Sequence, residues 1–339
     1  MDRRVRWGVL GCAGIAAKAF IPAVLASRNG VPAAIAARDP SRARAWADRF
    51  GFARAAATYA ELVADPDVDA IYNPLPNDLH APWSVRAMEA GKHVLCEKPL
   101  ALDAAEAAAM AGAAGSAGVL LMEGFMYKFH PQIDRALGLV RSGGLGAVRS
   151  VRSSFTFRFA REGANYRWSP AMGGGAFYDV GCYTVSAARL FLGDEPVSAF
   201  ARARIDPATG VDMTAAALLE FPDGRFALCD ASFESAFQSR LTVAGDEGTL
   251  RLDRAFSAKD FDVAVEVERG GAVERLAVPR ADMFRLMIEH FGDAVLGRAP
   301  LRVPVSDALS NARALDACFV SIRTGGPVLI TDDRQGGTS

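Results

Sequence analysis

Val5-Arg6-Trp7-Gly8-Val9-Leu10-Gly11-Cys12-Ala13-Gly14-Ile15-Ala16 is the stretch on which the reading of this chain turns. A strand-like run enters a turn of small residues, and a helix-compatible run follows. A glycine turn at such a junction lets backbone N–H groups and the positive end of a helix approach a pyrophosphate. In the G-x-G-x-x-G register that begins at Gly11, the second and third positions hold Ala13 and Ala16, so the motif alone is weak. Small residues here also serve plain helix-to-strand packing. Position favours the binding role, because the turn follows the first strand of a repeating series. Gly11, Cys12, Ala13, Gly14 and Ile15 are therefore the first candidates for cofactor contact.

The series is visible in apolar runs at residues 5–10, 33–37, 68–73, 93–96 and 119–123, separated by amphipathic helical segments such as 41–50 and 83–90. Repeated β-α-β alternation predicts an α/β domain over residues 1–123, built on a doubly wound parallel sheet. Such sheets bind ligands at the carboxyl ends of their strands. The second strand ends Ala36-Ala37-Arg38-Asp39. An acid at that end bonds the adenosine ribose of NAD, whereas a nearby arginine suits the extra phosphate of NADP. Ala37 occupies the acid position and Arg38 follows, so NADP is expected ahead of NAD. NAD stays open because Asp39 can turn back to the ribose.

Beyond residue 147 the texture changes to period-2 runs at 148–159, 197–205, 213–221, 225–232, 240–243 and 263–267. These predict an α+β domain over residues 124–339 on a large, mostly antiparallel open sheet. Pro222-Asp223-Gly224 and Asp246-Glu247-Gly248 each separate two such runs, with glycine expected at positive φ in both turns. Helices are expected at 176–192, ended by Gly193, and at 282–296 and 306–324. The C-terminal helix is free to pack back on the first domain, and residues 335–339 are expected to fray.

Composition narrows the class. At 339 residues the chain has room for two domains, and a net charge of −1 with 51% hydrophobic residues excludes a disordered tail or a nucleic-acid binder. The charged residues 1–6 run straight into the first strand and leave no room for a signal peptide. No charge-free apolar window reaches the ~18 residues of a membrane span. Five cysteines, Cys12, Cys96, Cys182, Cys229 and Cys318, are odd in number and widely spread, which points to a reducing cytoplasm without disulfides. His80, His93, His130 and His290 do not cluster at ligand spacing, so no metal is expected.

Two further stretches carry chemistry. Tyr72-Asn73-Pro74-Leu75-Pro76-Asn77-Asp78-Leu79-His80 ends one strand in a proline-bearing loop, and Cys96-Glu97-Lys98-Pro99-Leu100 ends the next. An ammonium beside a nicotinamide can hydrogen-bond the reacting oxygen and, with its pKa lowered, share in proton transfer. Without such a setting, a lysine after a strand is an ordinary solvated charge. In the second half, Gly173-Gly174-Gly175 precedes Ala176-Phe177-Tyr178-Asp179-Val180-Gly181-Cys182-Tyr183, and an α-helix there would put Asp179 and Tyr183 on one face. By themselves these two read as a helix-face charge and a core-edge aromatic.

Taken in order and spacing, the glycine turn, the Pro-Asn-x-x-His loop, the Glu97-Lys98-Pro99 triplet and Met122-Glu123-Gly124-Phe125-Met126-Tyr127 resemble the Gfo/Idh/MocA oxidoreductases over nearly the entire chain. The resemblance implies an N-terminal Rossmann domain and an enzyme that moves a hydride between a nicotinamide and a hydroxyl carbon of a sugar or polyol. It assigns Lys98, Asp179 and Tyr183 to catalysis. Tyr183 marks the subgroup similar to dihydrodiol dehydrogenase, aldose dehydrogenases and sugar ketoreductases, in which the phenol is acid or base, the lysine lowers its pKa and the aspartate orients substrate. Pro74, Leu75, Asn77, His80, Glu97 and Lys98 join the cofactor contacts, with Glu97 equally readable as a structural carboxylate. Tyr127, Asn165, Arg167 and Trp168 fall in segments that line the substrate cleft; Trp168 also reads as an interface residue, and His130 as packing beneath the cleft. Three substrate classes stay open: a free aldose, a sugar ring or nucleotide-linked sugar reduced or oxidised at a secondary carbon in secondary metabolism, and a cyclic diol. Outside catalysis, the same parts fit a silent NADP-binding sensor. A wide sheet with one bare face implies a homodimer or homotetramer.

Overall fold

The computed structural model describes residues 3–161, 163 and 165–331. Residues 335–339, expected to fray, lie outside them. The chain divides into two compact units, one of Met1–His130 with Ala281–Leu309 and one of Pro131–Arg280 with Ser310–Ser339.

In the first unit β1 (Val5–Leu10), β2 (Gly30–Ala36), β3 (Arg54–Ala55), β4 (Ala70–Asn73), β5 (His93–Cys96) and β6 (Leu121–Glu123) form one sheet in the order β3-β2-β1-β4-β5-β6. All its pairings are parallel, so every strand ends at the same edge. This is the expected doubly wound Rossmann sheet. The connecting helices are α1 (Ile21–Ala26), entered through a π-helical turn at Ala16–Phe20, then α2 (Pro40–Phe50), α3 (Tyr59–Ala64), α4 (His80–Glu89) and α5 (Ala104–Ala117). Asp39, Thr58 and Asp103 cap α2, α3 and α5 by accepting the otherwise orphaned N–H groups of Ser41, Glu61 and Glu106. The core gathers on Trp7 of β1, which meets Phe20 edge-on at 5.2 Å and Phe291 at 5.6 Å, while Phe20 stacks on Tyr72. Phe291 belongs to the helix Met283–Val295, so this core takes side chains from far down the chain.

The second unit starts with α6 (Pro131–Arg141) and centres on a nine-stranded sheet. Its strands are β7 (Val148–Thr156), β8 (Ser198–Ile205), β9 (Asp212–Glu220), β10 (Phe226–Ser232), β11 (Gln238–Gly245), β12 (Thr249–Leu252), β13 (Val263–Arg269), β14 (Ala272–Val278) and β15 (Val328–Leu329). They run in the order β14-β13-β12-β11-β7-β10-β9-β8-β15. Only β7 and β10 pair in parallel, so the expected mostly antiparallel sheet is present. Between β7 and β8 lie a π-helical turn (Phe177–Gly181) and α7 (Cys182–Leu192), closed by Gly193 at φ 68°. The late helices are α8 (Met283–Val295) and α9 (Val305–Thr324).

The two hairpin turns differ from each other. Asp223 and Gly224 both take positive φ, 63° and 72°, as a tight hairpin requires. Gly248 does not, which corrects the expectation for Asp246-Glu247-Gly248. Its role is close approach, because a Cβ there would stand 2.7 Å from the Glu268 carbonyl oxygen.

Candidate active site

At the carboxyl edge of the parallel sheet, Gly11 takes φ +83° and donates its N–H to the Ala36 carbonyl at 2.7 Å. A side chain there would meet Leu75 at 2.9 Å, so glycine lets the first turn close against the loop after β4. Cys12 and Ala13 are half-buried and Gly14 and Ile15 exposed, and nothing lies within 4 Å of where a Gly14 Cβ would stand. Arg42 donates to the Cys12 carbonyl at 3.0 Å, and burial pushes the Cys12 thiol up in pKa. At the end of β2, Ala37 is buried and Arg38 exposed. The Asp39 carboxylate accepts from the Ser41 N–H at 2.9 Å and from its hydroxyl at 2.6 Å, so it is engaged as a helix cap rather than turned toward a ribose. An open backbone turn at a helix start, with an exposed arginine on the adjacent strand end and no acid there, fits a dinucleotide carrying an extra phosphate.

The loops after β4 and β5 are tied together. His80 is fully buried, with its ring nitrogens 2.8 Å from the Pro99 and Leu75 carbonyl oxygens. Burial holds its pKa down to about 4 against the pull of those carbonyls, and the nearby Lys98 charge lowers it further. The ring therefore acts on the two loops from within. Pro74, Leu75 and Asn77 are buried in the same loop, and the Asn73 amide donates to the His80 carbonyl and to Ser84 Oγ, both at 3.1 Å. Glu97 is buried and accepts from the Tyr72 hydroxyl at 2.7 Å, while Glu123 accepts from the Leu100 N–H at 2.8 Å. Half-buried Lys98 thus sits on a segment whose cis-proline and following residue are each fixed by a buried partner. Tyr72 and Glu123 were not singled out from sequence, since hydrogen bonds across strands leave no local pattern. Tyr127, expected to face substrate, is fully buried with its ring edge-on to Phe125.

In the second unit Asp179 and Tyr183 lie on one continuous helical segment, Asp179 in the π-helical turn and Tyr183 in the first turn of α7. Asp179 meets Arg167 in a two-point ion pair, Nε to Oδ2 at 2.8 Å and Nη2 to Oδ1 at 2.9 Å. Tyr183 is 3% exposed, its ring packed against Phe155 at 5.4 Å and Phe256 at 5.6 Å. Arg167 is placed by two 3-10 turns, Tyr166–Trp168 and Pro170–Met172, and by the Asn165 side chain, which accepts its N–H at 3.1 Å. The Arg167 and Ser169 carbonyls accept the N–H groups of Gly175 and Gly174, and a Cβ at Gly174 would fall 2.6 Å from the first of them. The glycine run is therefore dictated by backbone crowding around Arg167. Trp168 packs on Phe159 and Phe233, and its buried indole N–H has no acceptor among the described residues. Asp212, at the start of β9, accepts the Phe177 N–H at 2.7 Å, a partner that sequence reading did not supply. Lys98 belongs to the first unit and Arg167, Asp179 and Tyr183 to the second. Among the described residues no cluster of acidic, histidine or cysteine side chains is set to hold a metal ion.

Comparison with known proteins agrees with this layout. A family model described as "Oxidoreductase family, NAD-binding Rossmann fold" matches residues 5–125, and one described as "GFO/IDH/MocA C-terminal domain" matches residues 133–251. The chain is 43% identical over 325 residues to D-xylose 1-dehydrogenase (NADP(+)) 2 of Haloferax volcanii, covering 95% of this chain and 98% of that one. It is 32% identical over 262 residues to mouse (Mus musculus) trans-1,2-dihydrobenzene-1,2-diol dehydrogenase, covering 76% and 78%. The crystal structure of KijD10, a 3-ketoreductase from Actinomadura kijaniata, with NADP and TDP-benzene superposes with a TM-score of 0.89 at 36% identity, over 94% of this chain and 98% of that one. Further structures of that reductase carry a tyrosine-to-phenylalanine or a lysine-to-alanine replacement. With both halves matched in order and relatives aligned over nearly its full length, this chain belongs to the GFO/IDH/MocA oxidoreductase family.

Proposed function

We propose that this enzyme is an NADP-dependent dehydrogenase or reductase of a sugar or polyol, with Tyr183 as the acid-base residue and Lys98 as its electrostatic partner. The observation that carries the reading is Lys98 itself, a half-buried ammonium on a loop braced by His80 and Glu123, at the same sheet edge as the open glycine turn. The residues that would hold the cofactor are Gly11, Cys12, Ala13, Gly14 and Ile15 at the pyrophosphate and Ala37 and Arg38 at the adenosine end. The loops of Pro74, Leu75, Asn77, His80 and Glu97 would support it. Held there, the nicotinamide cofactor would supply the acceptor or donor of a hydride for the carbinol carbon. Tyr183 takes the hydroxyl proton in oxidation and returns it in reduction, and the positive charge of Lys98 favours the phenolate that this requires. Asp179, anchored by Arg167, is the carboxylate that would accept a hydrogen bond from a substrate hydroxyl. Asn165 and Trp168, at the 3-10 turn that carries Arg167, would add substrate contacts.

The relative named as a xylose dehydrogenase supports a free aldose as substrate. A second reading, reduction of a ketone on a nucleotide-linked sugar, is favoured by the structural likeness to the 3-ketoreductase over nearly its whole length. Following reduced nicotinamide with free aldoses, methyl glycosides, cyclic diols and TDP-linked ketosugars separates these readings. A lactone product identifies the first and consumption of NADPH the second. NADP binding without turnover of any of them overturns the proposal in favour of a sensor. Tyr183→Phe should lower turnover by about 10² to 10⁴ with cofactor affinity kept; unchanged turnover removes Tyr183 from the chemistry. Five free cysteines suit a cytoplasmic enzyme, and the bare face of the nine-stranded sheet suits a homodimer or homotetramer.

A further inference from the structure

The helix that carries Asp179 and Tyr183 begins without a capping side chain of its own. Its first turn is set by the Asp179 N–H bonded to the Gly175 carbonyl at 3.2 Å, and Gly175 has no side chain to offer. The N–H groups just inside a helix start have no partner within the helix and need an external acceptor. That acceptor comes from 35 residues away in sequence: Asp212 Oδ2 accepts the Phe177 N–H at 2.7 Å, and the Ala176 N–H dipole also favours the charge of this carboxylate. Asp212 is 6% exposed. Gly175 makes room for it, because a Cβ at that position would stand 2.0 Å from Asp212 Oδ1. Gly175 also takes φ +109°, a conformation closed to other residues. The two positions therefore specify each other, one by supplying a carboxylate and the other by having no side chain.

We propose that Asp212 is a positioning residue for the proton-transfer site: its carboxylate, lodged against Gly175, fixes the start of the helix to β9 and thereby sets where Asp179 and Tyr183 stand. This rests on the reading of Tyr183 as the acid-base residue. The Phe177–Gly181 segment is a π-helical turn, so its registry is not held by regular α-helical bonding. An outside acceptor at its first amides selects the rotation from which Asp179 reaches Arg167. Negative charge at a helix start is also favoured by the helix dipole. Burial pushes the Asp212 carboxyl up to about 6, so it carries its full charge only above neutrality's acid side.

The test compares Asp212→Ala with Asp212→Asn in the full chain, by hydrogen exchange at the Ala176 and Phe177 amides and by steady-state kinetics with D-xylose and with a TDP-linked ketosugar. Loss of one buried acceptor should speed exchange at those two amides by about 10- to 100-fold in Asp212→Ala. Asp212→Asn keeps a carbonyl oxygen in place and should restore protection. The alanine variant should lose about 10-fold or more in kcat, with its pH profile displaced, while KM for NADP stays unchanged and the asparagine variant recovers most of the rate. Unchanged exchange and kcat in Asp212→Ala overturn the proposal. So does equal damage to kcat and NADP binding, or failure of asparagine to rescue, since either marks general loss of structure. If Tyr183→Phe turns over normally, the acid-base reading fails by itself, and the exchange result still decides whether Asp212 holds the helix.

Discussion

His80 titrates near 4 in the fold because it is buried, against an ordinary 6.5, so the unfolded chain binds its proton more readily. Its contribution to stability is complete above about 6.5 and is lost as pH falls toward 4. Asp212 has the opposite sign. Burial raises it from 3.8 to about 6, the folded chain holds its proton more tightly, and its contribution grows as pH falls from 6 toward 4. At ~1.4 kcal/mol for each tenfold change in proton affinity, each effect amounts to about 3 kcal/mol. Relative to wild type, His80→Gln should therefore gain stability on acidification across this window and Asp212→Asn should lose it, as followed by urea unfolding at stepped pH. Identical slopes for all three proteins would mean that neither group titrates as argued. The Arg167–Asp179 pair gives a second test, since the Asp179 side chain is only 7% exposed and both its oxygens are held. Arg167→Ala should cost about 3 kcal/mol by removing the guanidinium partner of a buried carboxylate, and a double-mutant cycle with Asp179→Ala should be non-additive by more than ~1 kcal/mol. Lys98, Asp179 and Tyr183 are candidates because of the motifs around them. Asp212, Glu123 and Tyr72 carry no such motif signal, because each is hydrogen-bonded to a residue distant in sequence.

Two glycines separate the demands of packing from those of ligand binding at the level of the elements. Gly248 touches the backbone of β13, which cannot withdraw, so Gly248→Ala should cost about 1–3 kcal/mol in thermal unfolding. Gly14 lies in open space at the entrance to a helix, and alanine there should leave stability unchanged or raise it by about 0.4–1 kcal/mol. If the turn receives a pyrophosphate, the same methyl group occupies the approach, and the Kd for NADP measured by fluorescence titration should rise about 10-fold or more. Undiminished affinity would return the turn to a packing role. The parallel strands were legible because they are buried on both faces and read as plain apolar runs; residues 93–96 coincide with β5. β3 escaped notice because it has only two residues, and β14 because Val273 is 59% exposed and its neighbours are mostly exposed as well, leaving little alternation to read. The π-helical turns at Ala16–Phe20 and Phe177–Gly181 were equally hidden, since apolar spacing does not distinguish a widened turn from an α-helical one.

Assembly follows from the two faces of the nine-stranded sheet. Ala199, Ala201, Ala217, Leu219, Ala227 and Cys229 are at most 4% exposed, whereas the residues between them are not. Phe200 pairs with Leu218 and Leu218 with Leu228 across β8, β9 and β10, so three large apolar side chains stand in one row on the open face. Their exposures are 37%, 41% and 42%, and Phe226 beside them is 41% exposed. An aligned apolar row on regular, rigid strands suits a second copy of the same surface, because a twofold axis sets the row against itself. A stable interface of that kind removes about 800 Å² from each partner, an area that the outward residues of several strands can supply. Sedimentation of the wild type should therefore give an even-numbered oligomer. Leu218→Glu combined with Leu228→Glu should lower that mass to the next smaller species by placing like charges opposite each other in an apolar contact. Because both side chains already meet solvent, the variant should keep its helical and strand content by circular dichroism. A wild-type monomer, or a doubly charged variant that sediments unchanged, would show that this face meets water in the working enzyme and that the row has another purpose.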